Sequence, residues 1–426
     1  MPAVMTRVSW SELAEIVGKE HLRAATAEDA FDDITPQMVA EPDTAEDLAR
    51  CLRWARGAGV KVAPRGGGTK LGWGNPPAAC DLLLSTTRLH RVLEYAWADL
   101  TVIVEAGCRV ADLQKTLAEH GQALALDPLW PERATIGGIL STNDSGTLRL
   151  RYGSLRDLVI GITVALPDGT LAKSGGKVVK NVAGYDLAKL FTGALGTLGV
   201  IVQAIFRLHP LPRERRSLSF GGTPASLNQL LLEFLASKST PTGLQLRAAP
   251  GGAQLDVRFD GTAAGIQAQI DQVQQLAAPS LVPSPAPDDV WLSHQAIWEG
   301  AVPALVAKFS VLPAHFAAVC ALIERAAAAQ SLAWRVVAQS VGAGYVRLEG
   351  SEQALRTGLL ALRDELAKTG DTKLGGTIVA LGCPVAVKRG LDVWGPPSDA
   401  QPLMVRIKQR FDPDGTLNPG RFLGGI

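Results

Sequence analysis

Ala63-Pro64-Arg65-Gly66-Gly67-Gly68-Thr69-Lys70-Leu71-Gly72-Trp73-Gly74 decides how the first half of this chain is read. The run leaves a strand candidate, GVKVAP, and places five glycines among the ten residues from Arg65 to Gly74. Such density forbids regular structure and frees the backbone. Successive N–H groups in a turn of this kind can form an anion-binding nest, and Arg65 and Lys70 would add charge. Charge-assisted hydrogen bonds contribute roughly 1.5–3 kcal/mol each, so a few of them could hold a pyrophosphate. On this stretch alone a plain flexible glycine loop is the alternative.

Two standard nucleotide motifs fail here. The dinucleotide fingerprint GxGxxG needs glycine three places after Gly68, where Leu71 stands. A Walker loop needs Gly-Lys followed by Ser or Thr, but Gly18-Lys19 precedes Glu20 and Gly176-Lys177 precedes Val178. A Rossmann-type NAD site is not expected.

Outward from the loop the pattern is α/β. Residues 1–36 read as a helical lead-in, and QMVAEP as a short strand. Thr44, with Asp47 three places on, resembles a capping box, and Leu48, Leu52 and Ala55 then share one helical face. LTVIVEAG reads as a strand and VADLQKTLAEHG as a helix. A second cluster of small and polar residues follows in Thr135-Ile136-Gly137-Gly138, continuing to Ser141, Asn143, Ser145 and Gly146, in a stretch of low periodicity. A third is Gly193-Ala194-Leu195-Gly196-Thr197-Leu198-Gly199-Val200-Ile201, a tight turn feeding a strand. Each alone reads as a structural turn; three in order within one α/β region point to a ligand. Near Pro212 the texture shifts to Ala, Gln and Leu with alternating strands such as LQLRAAP, AQLDVRF and GYVRLEG. No internal repeat is evident.

The 426 residues are enough for two or three domains. Hydrophobic content of 47% supports sizeable cores, and Lys+Arg 42 against Asp+Glu 41 gives no general pull towards nucleic acid or anionic lipid. The five cysteines, Cys51, Cys80, Cys108, Cys320 and Cys383, contain no CxxC pair. That argues against a zinc ribbon and against an iron–sulfur cluster ligated wholly by this chain. The N-terminus lacks the apolar core of a signal peptide, and no apolar run approaches the ~18 residues of a membrane helix. The expected location is the cytoplasm, with membrane contact only through partners.

Three runs carry a family resemblance: PRGGGTKLGWG, ATIGGILSTNDSG with RYGSLRD, and GGKVVKNVAGYDLAKLFTGALGTLGVI. Residues 37–210 resemble the FAD-binding domain of the vanillyl-alcohol-oxidase and p-cresol-methylhydroxylase (PCMH) family, and the tail FDPDGTLNPGRF resembles its C-terminal strand. KNVAGYDLAKLF, VWGPP at Val393–Pro397 and the NPGRF ending are similar to the FAD-binding subunits of bacterial glycolate oxidases. The resemblance implies an α+β fold: a PCMH-type FAD-binding domain of two α+β subdomains, plus a smaller α+β cap domain with an antiparallel sheet. The implied division is 1–36 lead-in, 37–212 FAD-binding domain, 213–385 cap or substrate domain, and 386–426 a segment returning to the flavin domain. The implied cofactor is FAD. Arg65, Gly66, Gly67, Gly68, Thr69 and Lys70 would wrap its pyrophosphate. Thr135, Ile136, Gly137, Gly138, Ser141, Asn143 and Gly146 would line the groove. Gly199, Val200 and Ile201 would meet the adenosine half, and Asn418 would approach the flavin. Covalent members carry a histidine on the glycine loop; here that place is at or beside Thr69, so the FAD is expected to be non-covalent.

One departure bears on activity. Related 2-hydroxy-acid dehydrogenases carry a metal-binding HxGDGNxH run. The matching stretch, Ser340 to Arg347, has Ser340 and Arg347 at the histidine places and Ala343 at the acidic one. Imidazole suits such a site, so no metal is expected. Catalytic residues are not assigned. Lys180 is a possible ligand contact, Tyr185 reads as packing, and Arg347 and Lys308 read either as carboxylate ligands in the cap domain or as solvated surface charges. Two functional readings stand side by side. In one, the chain is the FAD-binding subunit of a complex that oxidises glycolate, a small 2-hydroxy acid, to glyoxylate. In the other, it is a non-catalytic flavin electron-transfer or assembly subunit whose homologous partner carries the oxidation. Both imply a second flavoprotein catalytic subunit and an iron–sulfur subunit as partners, and neither involves nucleic acid. A stand-alone oxidase of another alcohol or sugar is a third reading.

Overall fold

The computed structural model describes residues 9–177, 185–368 and 374–426. Lys180 and the rest of the run Lys180–Gly184 lie outside the described residues. The first sheet has four strands in the order Leu22–Ala24, Met38–Ala40, Leu82–Ser85, Val62–Arg65, the last three parallel. Helix Ala45–Ala58 makes the crossover from Met38–Ala40 to Val62–Arg65. It starts where the Asp47 amide donates to the Thr44 hydroxyl at 3.0 Å, and stops at Gly59, whose φ of 69° suits glycine. Its buried stripe of Leu48, Leu52 and Ala55 packs with Val62, Leu82 and Leu84. Among the described residues the lead-in is α-helical over Trp10–Val17, with 3-10 turns at Lys19–His21 and Ala27–Asp29. Leu22–Ala24 instead joins the sheet antiparallel, Leu22 opposite Ala40, because the free edge of Met38–Ala40 offers a hydrogen-bonding ladder.

The second sheet is antiparallel, in the order Val92–Ala96, Thr101–Glu105, Val200–Arg207, Val159–Ala165, Leu171–Gly175. Against it lies helix Ile136–Thr142, in the stretch expected to be irregular. Its start is fixed by the Gly138 amide donating to the Thr135 hydroxyl at 3.3 Å. It lies close to the sheet end: a Cβ on Gly137 would stand 2.8 Å from the Ala106 Cβ.

The third sheet has eight antiparallel strands and is built twice over. Glu214–Gly222, Gly243–Ala249, Gly252–Gly261 and Pro283–Pro285 form one βαββαβ unit, with helices Pro224–Ala236 and Ala263–Leu276. Ala304–Ser310, Ala333–Gln339, Ala343–Glu349 and Thr377–Gly382 form the other, with helices Phe316–Ala329 and Glu352–Ala367. Across the sheet each unit runs fourth, first, third, second strand, and the two meet along their second strands, Gln245 opposite Gln339. This corrects the expectation of no internal repeat. What repeats is element order and alternation, which many unrelated sequences satisfy.

All four helices cover one face of this sheet and bury Phe220, Leu231, Phe259, Phe316 and Leu359, each contributing roughly 1.5–3 kcal/mol. The other face is polar yet buried: Gln245, Asp256, Arg258, Gln339 and Arg347 all lie on it. It turns towards the first half of the chain, whose short helix Arg149–Tyr152 lies against strand Gly243–Ala249.

The chain end closes back on the first sheet. Val62 donates to Thr416 C=O at 2.8 Å, and Asn418 N–H donates to Val62 C=O at 2.9 Å. Buried Lys408 holds this return, donating to Thr197 C=O (2.7 Å), Leu417 C=O (2.9 Å) and Asp412 (2.6 Å). Burial lowers the pKa of Lys408, and Asp412 opposes that shift. Lys408→Met strands Asp412 and is expected to cost about 3 kcal/mol, read as a lower urea midpoint with an unchanged slope.

Candidate cofactor site

Residues Gly66 to Lys70 leave strand Val62–Arg65 as a tight loop. Two glycines are required by contact. A Cβ on Gly67 would lie 1.8 Å from the Arg133 carbonyl oxygen, and one on Gly66 would lie 2.0 Å from the Thr135 hydroxyl. The loop is therefore pressed onto the turn that starts helix Ile136–Thr142. Its five successive amides, Gly66 to Lys70, donate to no acceptor among the described residues. Gly67 and Gly68 are exposed and Gly66 and Thr69 half-buried, so this row of donors is open to solvent or to an incoming acceptor.

The loop is one wall of a cavity. Arg65, Gly66, Gly67, Gly68, Thr69 and Lys70 form that wall. Thr135, Gly137, Gly138 and Ser141 form a second, and Gly199, Val200 and Ile201 a third. Asn418 joins them from the far end of the sequence. Its Nδ2 donates to Leu195 C=O at 2.8 Å, while its buried Oδ1 accepts from no donor among the described residues. Three residues expected in the groove do not line it. The Ile136 side chain is turned into the core of the second sheet. Asn143 caps the helix with φ 49°. Gly146 packs on Asp127, whose carbonyl oxygen would be 2.4 Å from an added Cβ. Residues that sequence reasoning missed are Pro64, Leu71, Thr86, Thr142, Leu195, Gly196 and Arg421. Gly196 lies inside the third glycine run and Arg421 inside the NPGRF ending, so both were within quoted motifs.

The side-chain charges expected on the phosphates are engaged elsewhere. Arg65 Nη1 donates to Asp29 at 2.8 Å, and Arg23 donates to the same carboxylate at 2.6 and 2.8 Å. Against the cost of burial, the Arg23 hydrogen bonds, the Thr26 amide and Arg65 hold Asp29 well below the usual carboxylate range. Lys70 Nζ pairs with Asp144 at 2.9 Å in a buried ion pair and lies 5.4 Å from the centroid of the Trp130 ring. Arg421 braces the loop from behind, donating to the carbonyls of Leu71 and Trp73; burial pulls its pKa down to about 10. Beside these, the cavity offers an anion its row of backbone N–H groups.

A second constellation lies on the polar face of the eight-stranded sheet. Lys308 stands opposite Tyr345, with its Nζ 5.8 Å from the ring centroid. Among the described residues no carboxylate is in ion-pair contact with it. Burial lowers the Lys308 pKa and raises that of Tyr345; Asp144 raises both and Arg149 lowers both. Beside them Trp298 stacks on Trp73 (5.8 Å) and meets Trp130 edge-on (5.2 Å), filling the space between glycine loop and sheet. Arg347 is neither a surface charge nor open to a ligand: it is buried and donates to Glu349, Trp298 C=O and Ala301 C=O. Tyr185 is exposed rather than packed. Among the described residues no three His, Cys, Asp or Glu side chains are placed to hold a metal. Burial pushes the thiols of Cys51, Cys80 and Cys320 up to about 12.

Residues 36–175 match the FAD binding domain family. The chain carries a PCMH-type FAD binding domain. FAD is its cofactor, and the unpaired loop amides and the orphaned Asn418 Oδ1 fit such a group. The fold is that of p-cresol methylhydroxylase with substrate bound: TM-score 0.75 at 14% identity, over 96% of this chain and 95% of that one. In sequence, the chain is 33% identical over 225 residues to glycolate oxidase subunit GlcD of Bacillus subtilis, spanning 51% of this chain and about half (48%) of that relative's length. It is 27% identical over 427 residues to the mitochondrial D-lactate dehydrogenase [cytochrome] of Arabidopsis thaliana, over 91% of this chain and 73% of the relative. Among the described residues no helix is long and apolar enough to cross a membrane.

Gly67→Ala tests the loop. The added methyl collides with the Arg133 carbonyl and pushes the amide row out of line. The variant is expected to keep its circular dichroism spectrum and to bind FAD at least ~10-fold more weakly, since one lost charge-assisted bond is worth roughly 1.5–3 kcal/mol, as read by flavin fluorescence titration.

Proposed function

We propose that this chain is the FAD-binding subunit of a complex of the glycolate oxidase type, oxidising glycolate to glyoxylate and passing the electrons to a partner. The observation that carries this reading is the row of five unpaired amides on the cavity wall, combined with the relatives named above. We assign the pyrophosphate to the amides of Gly66 to Lys70, the groove to Thr135, Gly137, Gly138 and Ser141, the adenosine half to Gly199, Val200 and Ile201, and the flavin approach to Asn418. The division 1–36, 37–212, 213–385 and 386–426 then separates lead-in, cofactor domain, cap and returning tail.

Oxidation of glycolate removes two electrons and two protons from its carbinol carbon and hydroxyl. Bound FAD supplies the two-electron acceptor for such chemistry. The chain's own residues supply position and electrostatics. Lys308, with no carboxylate in ion-pair contact among the described residues, is a group on this face suited to a substrate carboxylate. Tyr345 lies beside it, and the Trp73, Trp130 and Trp298 cluster packs against the same face. Partners in this reading are a second flavoprotein and an iron–sulfur subunit; five cysteines without a CxxC pair fit a cluster held by another chain. A cytoplasmic location, peripheral to the membrane only through those partners, accompanies it.

A second reading, a flavin electron-transfer or assembly subunit, is favoured by one observation. Arg347, at a metal-histidine place, is committed to holding Trp298 against the sheet, which suits a packed rather than a reactive face.

Anaerobic addition of glycolate to the FAD-loaded chain separates the two. Bleaching of the flavin by the chain alone supports the first reading. Bleaching only after a catalytic partner is added supports the second, and no bleaching with either refutes the substrate. In the first case Lys308→Met is expected to raise KM for glycolate by about 10- to 100-fold with little change in kcat, the loss of one charge-assisted bond. Denaturation is expected to release all the FAD, so that mass spectrometry finds the bare chain.

A further inference from the structure

Helix Arg149–Tyr152 reaches from the polar sheet face to the surface. Arg149 is half-buried and its charge is felt at both Lys308 and Tyr345. Arg151, two residues on, is exposed. Next to it the Tyr152 ring packs on His209 with centroids 4.7 Å apart. Cations surround this ring pair. Arg207 and Arg151 act on His209, and Arg151, Arg258 and Arg215 act on Tyr152 against the Asp260 carboxylate. Arg213 and Arg215 are exposed at the start of strand Glu214–Gly222, on the same junction.

The charge is poorly compensated. Arg215 pairs with Asp260 at 3.1 Å. Among the described residues Arg151, Arg207 and Arg213 have no carboxylate in ion-pair contact, and buried Nε atoms of Arg207 and Arg258 lack any acceptor. Burial, then Arg207 and Arg151, lower the pKa of His209, as an uncompensated cationic field should. The whole chain carries only +1, so this is a local excess.

We propose that the patch formed by Arg151, Arg207, Arg213 and Arg215 is a docking surface for an acidic protein that takes electrons from the bound flavin. The proposal rests on the chain carrying FAD, but on no particular substrate. Its position supports it: Arg151 follows by two residues Arg149, whose charge reaches the Lys308 and Tyr345 face. Its size supports it too. A few arginines around one ring pair suit the small, charge-steered interfaces of redox encounters, whereas a membrane or nucleic acid calls for a broad basic surface. On reoxidation the reduced flavin gives up two electrons and two protons. The electrons pass one at a time to the acceptor, and the protons to solvent.

Two measurements test it. The FAD-loaded chain is reduced with dithionite and mixed in a stopped-flow cell with ferricyanide, a trivalent anion that accepts one electron, or with hexaammineruthenium(III), a trivalent cation that does the same. Wild type is expected to react faster with ferricyanide at low salt and to slow as salt rises. The exposed double variant Arg151→Glu, Arg213→Glu is expected to lose about 10-fold in that rate and to gain with the ruthenium complex. Rates equal in variant and wild type and independent of salt overturn the proposal. In the second measurement, poly-L-aspartate is titrated into the chain while the His209 ring is followed by NMR. A salt-sensitive shift in wild type, absent in the variant, supports the proposal. No shift overturns it, as does binding to phosphatidylglycerol vesicles with no response to poly-L-aspartate. This titration needs no flavin, so a failure of the cofactor reading is told apart from a failure of the docking surface.

Discussion

The glycine loop leaves five consecutive amides without a protein acceptor among the described residues, and much of the first half of the chain packs to fix that loop in place. The glycine loop has no side chains to pack, so its place is set from outside. The Arg133 carbonyl and the Thr135 hydroxyl meet it where any Cβ would collide. Asp29 holds Arg65 on one side, Asp144 holds Lys70 on the other, and Arg421 ties the carbonyls of Leu71 and Trp73 from behind. The two cations thus serve to fix the loop, and the donors left over are those of the backbone. Backbone donors fixed in place cost little reorganisation when an anion arrives.

The same pinning links loop and cap. Lys70 and Asp144 sit under Trp73 and Trp130, and those rings meet Trp298 of the eight-stranded sheet. Asp144 is also the carboxylate whose charge reaches Lys308 and Tyr345. A cofactor lying along the loop would therefore have its reactive end against a face whose polar groups are set by the loop's own counter-ion.

Much of this was legible in the sequence, for a physical reason: close approach demands glycine, and glycine is visible. The runs at Gly66 to Gly68, Gly137 to Gly138 and Gly196 to Gly199 marked three cavity walls before any fold was known. Periodicity placed helix Ala45–Ala58, and its cap at Thr44, correctly. What could not be read depends on contacts between distant segments. That Arg65 pairs with Asp29 and Lys70 with Asp144 is such a contact, since no motif connects these residues. Ile136 and Gly146 looked like groove residues because they sit among groove residues, yet helix geometry turns Ile136 into the core. The duplicated cap sheet escaped notice because its halves share topology rather than residues, and the Trp73, Trp130 and Trp298 cluster because it is assembled from three separate stretches.

The central claim is that FAD is held at its pyrophosphate by the amides of Gly66 to Lys70 and not by the side chains of Arg65 and Lys70. A crystal structure of the FAD-loaded chain tests it most directly. The account predicts phosphate oxygens at hydrogen-bond distance from those amides, with Arg65 still on Asp29 and Lys70 still on Asp144. Phosphates bound by the Arg65 guanidinium or the Lys70 ammonium, with either ion pair broken, would contradict it.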